Sequence, residues 1–217
     1  VWLQVAIGTA IAMLAGIFPV RVRQSKNSFA AGEVFIFLLL LMHGPAAATL
    51  AAAGEGAVGA WRTSRRWTSR IISPAIAALA MWAAGSLLQA VLDALQARGQ
   101  AGAGQLIVAA MVFALAYFVA STLLISAVPR LKRGESLLQV LLSADLFGVF
   151  GWVGIAYAGS ATVSALLYLT YRQSGIGVLM AMVPLLGMLL ATLHYFFRQQ
   201  EAAEAVRQAS AEARDRE

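Results

Sequence analysis

Five ionisable side chains stand out in a chain that is otherwise strongly apolar: Glu33, His43, Glu55, Asp145 and His194. At membrane depth such a group costs roughly 2.5–3.5 kcal/mol or more, so each needs a structural or functional reason. Glu33 precedes His43 by ten residues and Glu55 follows Pro45 by ten. If two helices fold back on each other at His43-Gly44-Pro45, each carboxylate stands roughly 15 Å from the turn, at the same depth. A pair of acids facing the interior of a bundle would bind a proton, a cation or an amine. The alternative is that each carboxylate snorkels, or pairs with an arginine of the neighbouring basic loops. Glu55 and Arg62, seven residues apart on one helix face, are the natural partners for that.

The other candidates read more plainly. His43 is a turn residue at the outer interface. Asp145, in LLSADLFGVF, caps or breaks an amphipathic segment. With Glu33, Glu55 and His43 it completes the set of ligand-binding or coupling candidates. His194, beside Tyr195, Phe196 and Phe197, belongs to an aromatic belt and carries no expected chemistry.

Catalytic signatures are missing from the sequence. It contains no HExxH, no GxSxG and no glycine-rich phosphate loop, and two histidines on separate segments make no metal site. The chain is therefore expected to be no enzyme and to need no metal and no cofactor. Its aromatic residues fall at interface positions and line no single helix face, which argues against a nucleotide or retinal pocket. The last apolar run also lacks a lysine for a Schiff base. With no cysteine, disulfides and thiol chemistry are excluded.

The elements that must position these residues follow from composition. The chain is 60% hydrophobic and 12% charged, with a mean hydropathy of +0.76, where a soluble domain would carry about 25% charged residues. Several runs reach the roughly 20 residues needed to cross a hydrocarbon core of about 30 Å. The alternating polarity of a membrane β-barrel is absent. An all-α polytopic membrane bundle is the expected fold. The net charge of +6 sits in short loops, the pattern that orients membrane helices, and gives no reason to expect nucleic acid as a partner.

Taken in order, residues 1–20 form a first span and 21–28 a basic loop. Residues 29–42 and 45–61 form the hairpin, whose second arm is so rich in Ala and Gly that it should lie buried among other helices. Its arms are short for spanning helices, and a re-entrant hairpin is the alternative. The most basic loop, 62–70, carries Arg62, Arg65, Arg66 and Arg70, suited to lipid headgroups and to fixing topology. Residues 71–92 form a span opening on Ser73-Pro74 in its first turn, 93–104 a polar loop and 105–128 another span. After the basic stretch 129–136, residues 137–171 are too long for one span and divide into 137–150 and 152–171, with Gly148, Gly151 and Gly154 supplying the break. A tight loop at 172–175 leads to the last span, 176–197. With the basic loops and the C-terminal tail in the cytoplasm, about seven crossings satisfy every loop.

The tail, 198–217, is charged, with Ala202, Val206, Ala209 and Ala213 forming a weak coiled-coil seam. It reads as the start of a longer signalling helix and as a route to a homodimer. The first residue, Val1, suggests a trimmed N-terminus, and no cleavable signal peptide is evident.

The run FAAGEVFIFLLLLMHGPAAATLAAAGEGAVGAWRTSRRWTSRIISPA, together with LLYLTYRQSGIGVLMAMVPLLGMLLATLHYFFRQQE, resembles the N-terminal membrane region of bacterial cyclic di-GMP signalling proteins. In those proteins the region precedes PAS, GGDEF and EAL or HD-type domains. More loosely, the chain is similar to other membrane sensor domains and to substrate-binding components of vitamin uptake systems. The resemblance implies an input domain of the bacterial inner membrane that relays a ligand or membrane signal through its last helix to a cytoplasmic output domain. Cyclase or phosphodiesterase activity would belong to that output domain, since no GGDEF, EAL or HD-GYP motif occurs here. The partners implied are the bilayer, a small ligand or ion, and a second copy of the chain. A solute-binding transport component and a passive membrane anchor are the alternative readings.

Overall fold

The computed structural model describes residues 1–16, 20–21, 28–29, 32–100, 102–131 and 146–178, and scattered positions between 180 and 199. Six helices organise them: α1 (Trp2–Gly16), α2 (Glu33–His43), α3 (Pro45–Thr63), α4 (Trp67–Ala97), α5 (Ala103–Leu131) and α6 (Leu146–Ser174). The described positions between 176 and 199 are helical as well. A two-residue antiparallel pairing of β1 (Val20–Arg21) with β2 (Ser28–Phe29) closes the connection from α1 to α2. Because Phe29 pairs across to Val20, α2 starts at Glu33 rather than at residue 29.

The expected fold-back at His43-Gly44-Pro45 is present. Gly44 takes φ +82°, a left-handed value open to glycine, and donates its N–H to the Leu40 carbonyl at 2.9 Å. Pro45 then opens α3, where a missing N–H is no loss. The chain reverses on a single residue, which holds the two arms antiparallel.

Around the hairpin the remaining helices close a ring. α3 packs on α4, α4 on α5, α5 on α6 and α6 on α2, while α1 covers the seam between α2 and α3. α2 is apolar all round, as a helix enclosed by others must be. Phe35, Ile36, Phe37, Leu39 and Leu40 are all buried. α3 buries an alanine stripe, Ala48, Ala51 and Ala52, and leaves Leu50 exposed. The deepest arm of the hairpin is thus α2, with α3 lining it through small side chains. Gly56 brings α3 against α4: a Cβ there would stand 3.1 Å from the Pro74 α-carbon.

Several further boundaries differ from the sequence reading: α4 runs on to Ala97, α5 spans Ala103–Leu131 and α6 reaches Ser174, and two differences bear on the packing. α4 begins at Trp67, so Pro74 lies in its second turn rather than its first. Arg70 secures that extra turn. Its guanidinium stacks 4.2 Å from the Trp61 ring centre, and its Nε donates to the Ser64 carbonyl at 3.0 Å. Second, no break occurs at Gly148, Gly151 or Gly154, because α6 runs unbroken from Leu146 to Ser174. A glycine in a helix interior costs about 1 kcal/mol relative to alanine. Gly154 is buried beside Leu115 of α5, whose side chain would stand in ordinary contact, 3.6 Å, with a Cβ there. Residues 137–145 and the tail 200–217 lie outside the described residues.

α4 and the 103–125 part of α5 are long and apolar enough to cross a membrane. Their outer faces carry Leu79, Trp82, Leu87, Val108 and Val112, all more than half exposed. A surface of that kind suits lipid and would be an aggregation liability in water.

Candidate functional site

The two hairpin carboxylates meet inside the bundle. Glu33 is 5% exposed and Glu55 9%. The Glu55 carboxylate lies against Gly32, the residue before Glu33, in contact with its α-carbon side. Gly32 is needed for that approach, since a Cβ would collide with Glu55 Oε1 and stand 2.8 Å from the Ala12 carbonyl of α1. Equal spacing from the turn therefore does bring the acids together, as helical rise requires.

The described arginines of the 62–70 loop do not neutralise them. Among the described residues no ion pair joins Glu33 or Glu55 to an arginine, and Arg62, Arg65 and Arg66 are exposed. Glu33 Oε2 and Glu55 Oε1 are buried without a hydrogen-bond partner. The expected pairing of Glu55 with Arg62 is thus absent among the described residues, while Arg23 and Lys26 lie outside them. The physical reason is orientation: Glu55 belongs to the face of α3 that packs on α1 and α2, while Arg62 points outward at the end of that helix.

What the acids do contact comes from α6. The Tyr157 hydroxyl donates to Glu33 Oε1 at 2.8 Å. Seven residues further, two turns along the same face, the Ser164 hydroxyl stands 2.8 Å from the Val34 carbonyl and 2.7 Å from the Ser160 carbonyl. Ser160, Ala161, Ser164 and Ala165 are buried. This small-residue face lets α6 approach α2 closely enough for both contacts. Helix α6 is therefore fastened to the first turn of α2 beside the acid pair.

An aromatic wall closes the site. Phe37 packs edge-on against Phe113 at 5.3 Å and Tyr117 at 5.9 Å, and Phe118 lies 5.1 Å from Tyr157. These rings replace the expected scatter of interface aromatics with an interior cluster drawn from α2, α5 and α6. The sequence signal was available in part: Phe113 and Tyr117 are four apart on one face of α5. The partnership of Tyr157 with Glu33, across 124 residues, had no local sign.

Chemically, two carboxyls in apolar surroundings, with no arginine paired to them among the described residues, call for a proton or a small cation. The tyrosine hydroxyl supplies a donor that orients one of the two. No group of three or more His, Cys, Asp or Glu side chains forms a metal site among the described residues.

The other candidates lie elsewhere. His43 ends α2 at the opposite end of the hairpin and lines a cavity of about 660 Å³. That cavity also takes residues from the 93–104 connection and from Arg172. The three connections assigned to the outer side by their charge thus gather at one end of the bundle. Asp145 and His194 lie outside the described residues. Neither a protein-family model, nor a curated protein, nor a solved structure matches this chain.

Proposed function

We propose that this chain is a membrane-embedded sensory or regulatory domain, itself not an enzyme. In it the Glu33–Glu55 pair acts as the switch and α6 as the first moving part. The observation that carries the reading is the Tyr157–Glu33 hydrogen bond beside Glu55. Loading the pair with a proton or cation, or emptying it, changes the charge that Tyr157 faces. The fastening of α6 to the hairpin then strengthens or weakens. α6 leads through Gly175, at φ +75°, to the helical positions between 176 and 199. A shift at the acid pair therefore has a short path toward the C-terminal tail. A two-state bundle whose states hold the proton or cation with different affinity is the minimum such a relay requires.

On this reading the domain is a multi-pass protein of the bacterial inner membrane, with about seven crossings and its tail helix in the cytoplasm. The tail pairs with that of a second copy and drives a following output domain, which the sequence resemblance assigns to cyclic di-GMP synthesis or hydrolysis. Inserting four residues after Gln200, in the protein carrying its output domain, displaces that domain by roughly 6 Å and turns it by roughly 40°. Regulation is expected to be lost or inverted, measured as output activity in membranes. Regulation that survives the insertion intact would rule out helical transmission.

The buried, unpartnered Glu33 Oε2 and Glu55 Oε1 favour a second reading, a solute-binding component of a transporter. Thermal shifts with vitamins, amines or cations that disappear in Glu33→Gln or Glu55→Gln would favour it. A passive anchor is the third reading, and full regulation after exchange for an unrelated membrane anchor would favour that one.

A further inference from the structure

A second site stands at the other end of the bundle from the acid pair, and its shape and chemistry define the occupant. The cavity at the hairpin turn, about 660 Å³, is lined by leucines, among them Leu40, Leu88 and Leu92, and by the polar side chains of His43, Gln89, Asp93 and Arg172. Asp93 at the end of α4 and Arg172 at the end of α6 supply one charge of each sign, and neither has an ion-pair partner among the described residues. His43 adds an Nε2 that is buried with no hydrogen-bond partner.

A second, almost wholly apolar groove of about 630 Å³ runs between α4 and α5 and shares Leu88, Leu95 and Gln105 with the cavity. It extends from Leu95 and Gly104 at one end to Ala84 and Ala116 at the other. Eleven or twelve residues of helix measure roughly 17 Å. Half of a hydrocarbon core of about 30 Å is roughly 15 Å. The groove runs beside the cavity along the same stretch of α4, Ala84 to Leu95 against Trp82 to Gln96, and its length is that of one leaflet, enough for one acyl chain whose headgroup turns into the cup.

We propose that the cup and groove together bind one amphiphile. It carries a single acyl chain laid between α4 and α5 and a small zwitterionic phosphate-amine headgroup in the cup. Arg172 and His43 face the phosphate and Asp93 the ammonium. Arginine and a carboxylate on separate walls fit a headgroup bearing both charges better than a purely anionic one, which Asp93 would repel. The apolar groove excludes a free solute as the full ligand, because such a solute leaves the groove empty. This inference rests on the chain spanning a membrane. It does not depend on the acid pair acting as a switch.

The test is native mass spectrometry of the whole protein released from micelles with three probes: lysophosphatidylethanolamine, lysophosphatidylglycerol and glycerophosphoethanolamine. The expected result is one retained lysophosphatidylethanolamine, held about tenfold more tightly than lysophosphatidylglycerol, with glycerophosphoethanolamine not retained. Arg172→Gln and Asp93→Asn should each weaken retention five- to tenfold. Val108→Trp, which fills the groove from an exposed position, should abolish it while leaving the thermal midpoint in place. Equal retention of the two lysolipids, or retention untouched by Val108→Trp, would mean ordinary annular lipid and overturn the proposal. Retention of glycerophosphoethanolamine as tightly as the lysolipid would make the cup a solute site and overturn it as well. Loss of lipid selectivity with acid-pair signalling intact would leave the proposed function standing.

Discussion

Replacing Gly32 by leucine is expected to prevent the bundle from forming. A single methyl at this position already meets Glu55 Oε1, the Glu55 carboxyl carbon at 2.9 Å and the Ala12 carbonyl at 2.8 Å. The last of these belongs to the backbone of α1 and cannot swing aside as a side-chain tip can. Overpacking of this kind costs about 1–3 kcal/mol. Displacing a buried carboxylate from the only surroundings that accept it adds a comparable amount. Together these come to about 2–6 kcal/mol, a range that reaches the roughly 4 kcal/mol at which a single substitution becomes exceptional. Gly32→Ala should be intermediate. The measurement is the yield of monodisperse protein and its thermal midpoint in micelles. A Gly32→Leu protein that melts with the wild type would mean that Glu55 does not pack on Gly32.

The second large effect is expected at Glu33, and its pattern matters more than its size. Glu33→Leu removes the acceptor of the Tyr157 hydroxyl at 2.8 Å. The phenol, half-buried against Phe37, Tyr117 and Phe118, loses this acceptor and gains none from the leucine. A loss of about 1–3 kcal/mol follows. Glu33→Gln keeps an acceptor oxygen in place and lowers the charge in the site, so its cost should stay below about 1 kcal/mol. Glutamine close to wild type and leucine well below it is the signature of a hydrogen-bonded joint. Arg62→Ala should be silent in the same assay, since Arg62 is exposed and pairs with neither acid. Unfolding in mixed micelles with a rising fraction of denaturing detergent gives the comparison. Equal losses for Gln and Leu would point to Glu33 as a space-filling residue.

Much of this arrangement was legible in the residues. Helical rise and the symmetric spacing of Glu33 and Glu55 about His43-Gly44-Pro45 were enough to place the acids side by side. The alanine and glycine run after Pro45 correctly marked an arm that packs among helices. The charge of the loops grouped the hairpin turn, the 93–104 connection and Arg172 together, and the structure gathers them at one cavity.

What could not be read has physical causes. A carboxylate seven residues from an arginine on one helix looks paired when only that helix is considered. Its true direction is set by α1 and α2, which the local sequence does not encode. The tie from Tyr157 to Glu33 depends on how closely α6 approaches α2. That closeness comes from Ser160, Ala161, Ser164 and Ala165, small residues that in sequence look like any apolar span. The glycines near residue 150 looked like a break because glycine in isolation is a poor helix former. The cost of a helical glycine, about 1 kcal/mol, is small beside the packing of α6 on α5 and α2. In sequence Tyr117 reads as an interface residue, as tyrosine does in membrane helices, whereas in the structure it is buried.

The measurement closest to the central claim is a double-mutant cycle on the acid pair. Glu33→Gln, Glu55→Gln and the double variant are compared with the wild type by unfolding in micelles. If the two carboxyls form one unit that holds a shared proton or cation and orients Tyr157, the second substitution acts on a site the first has already relieved. The two effects should then depart from additivity by about 1 kcal/mol or more. Additivity to within about 0.5 kcal/mol would show two independent buried acids and contradict the account.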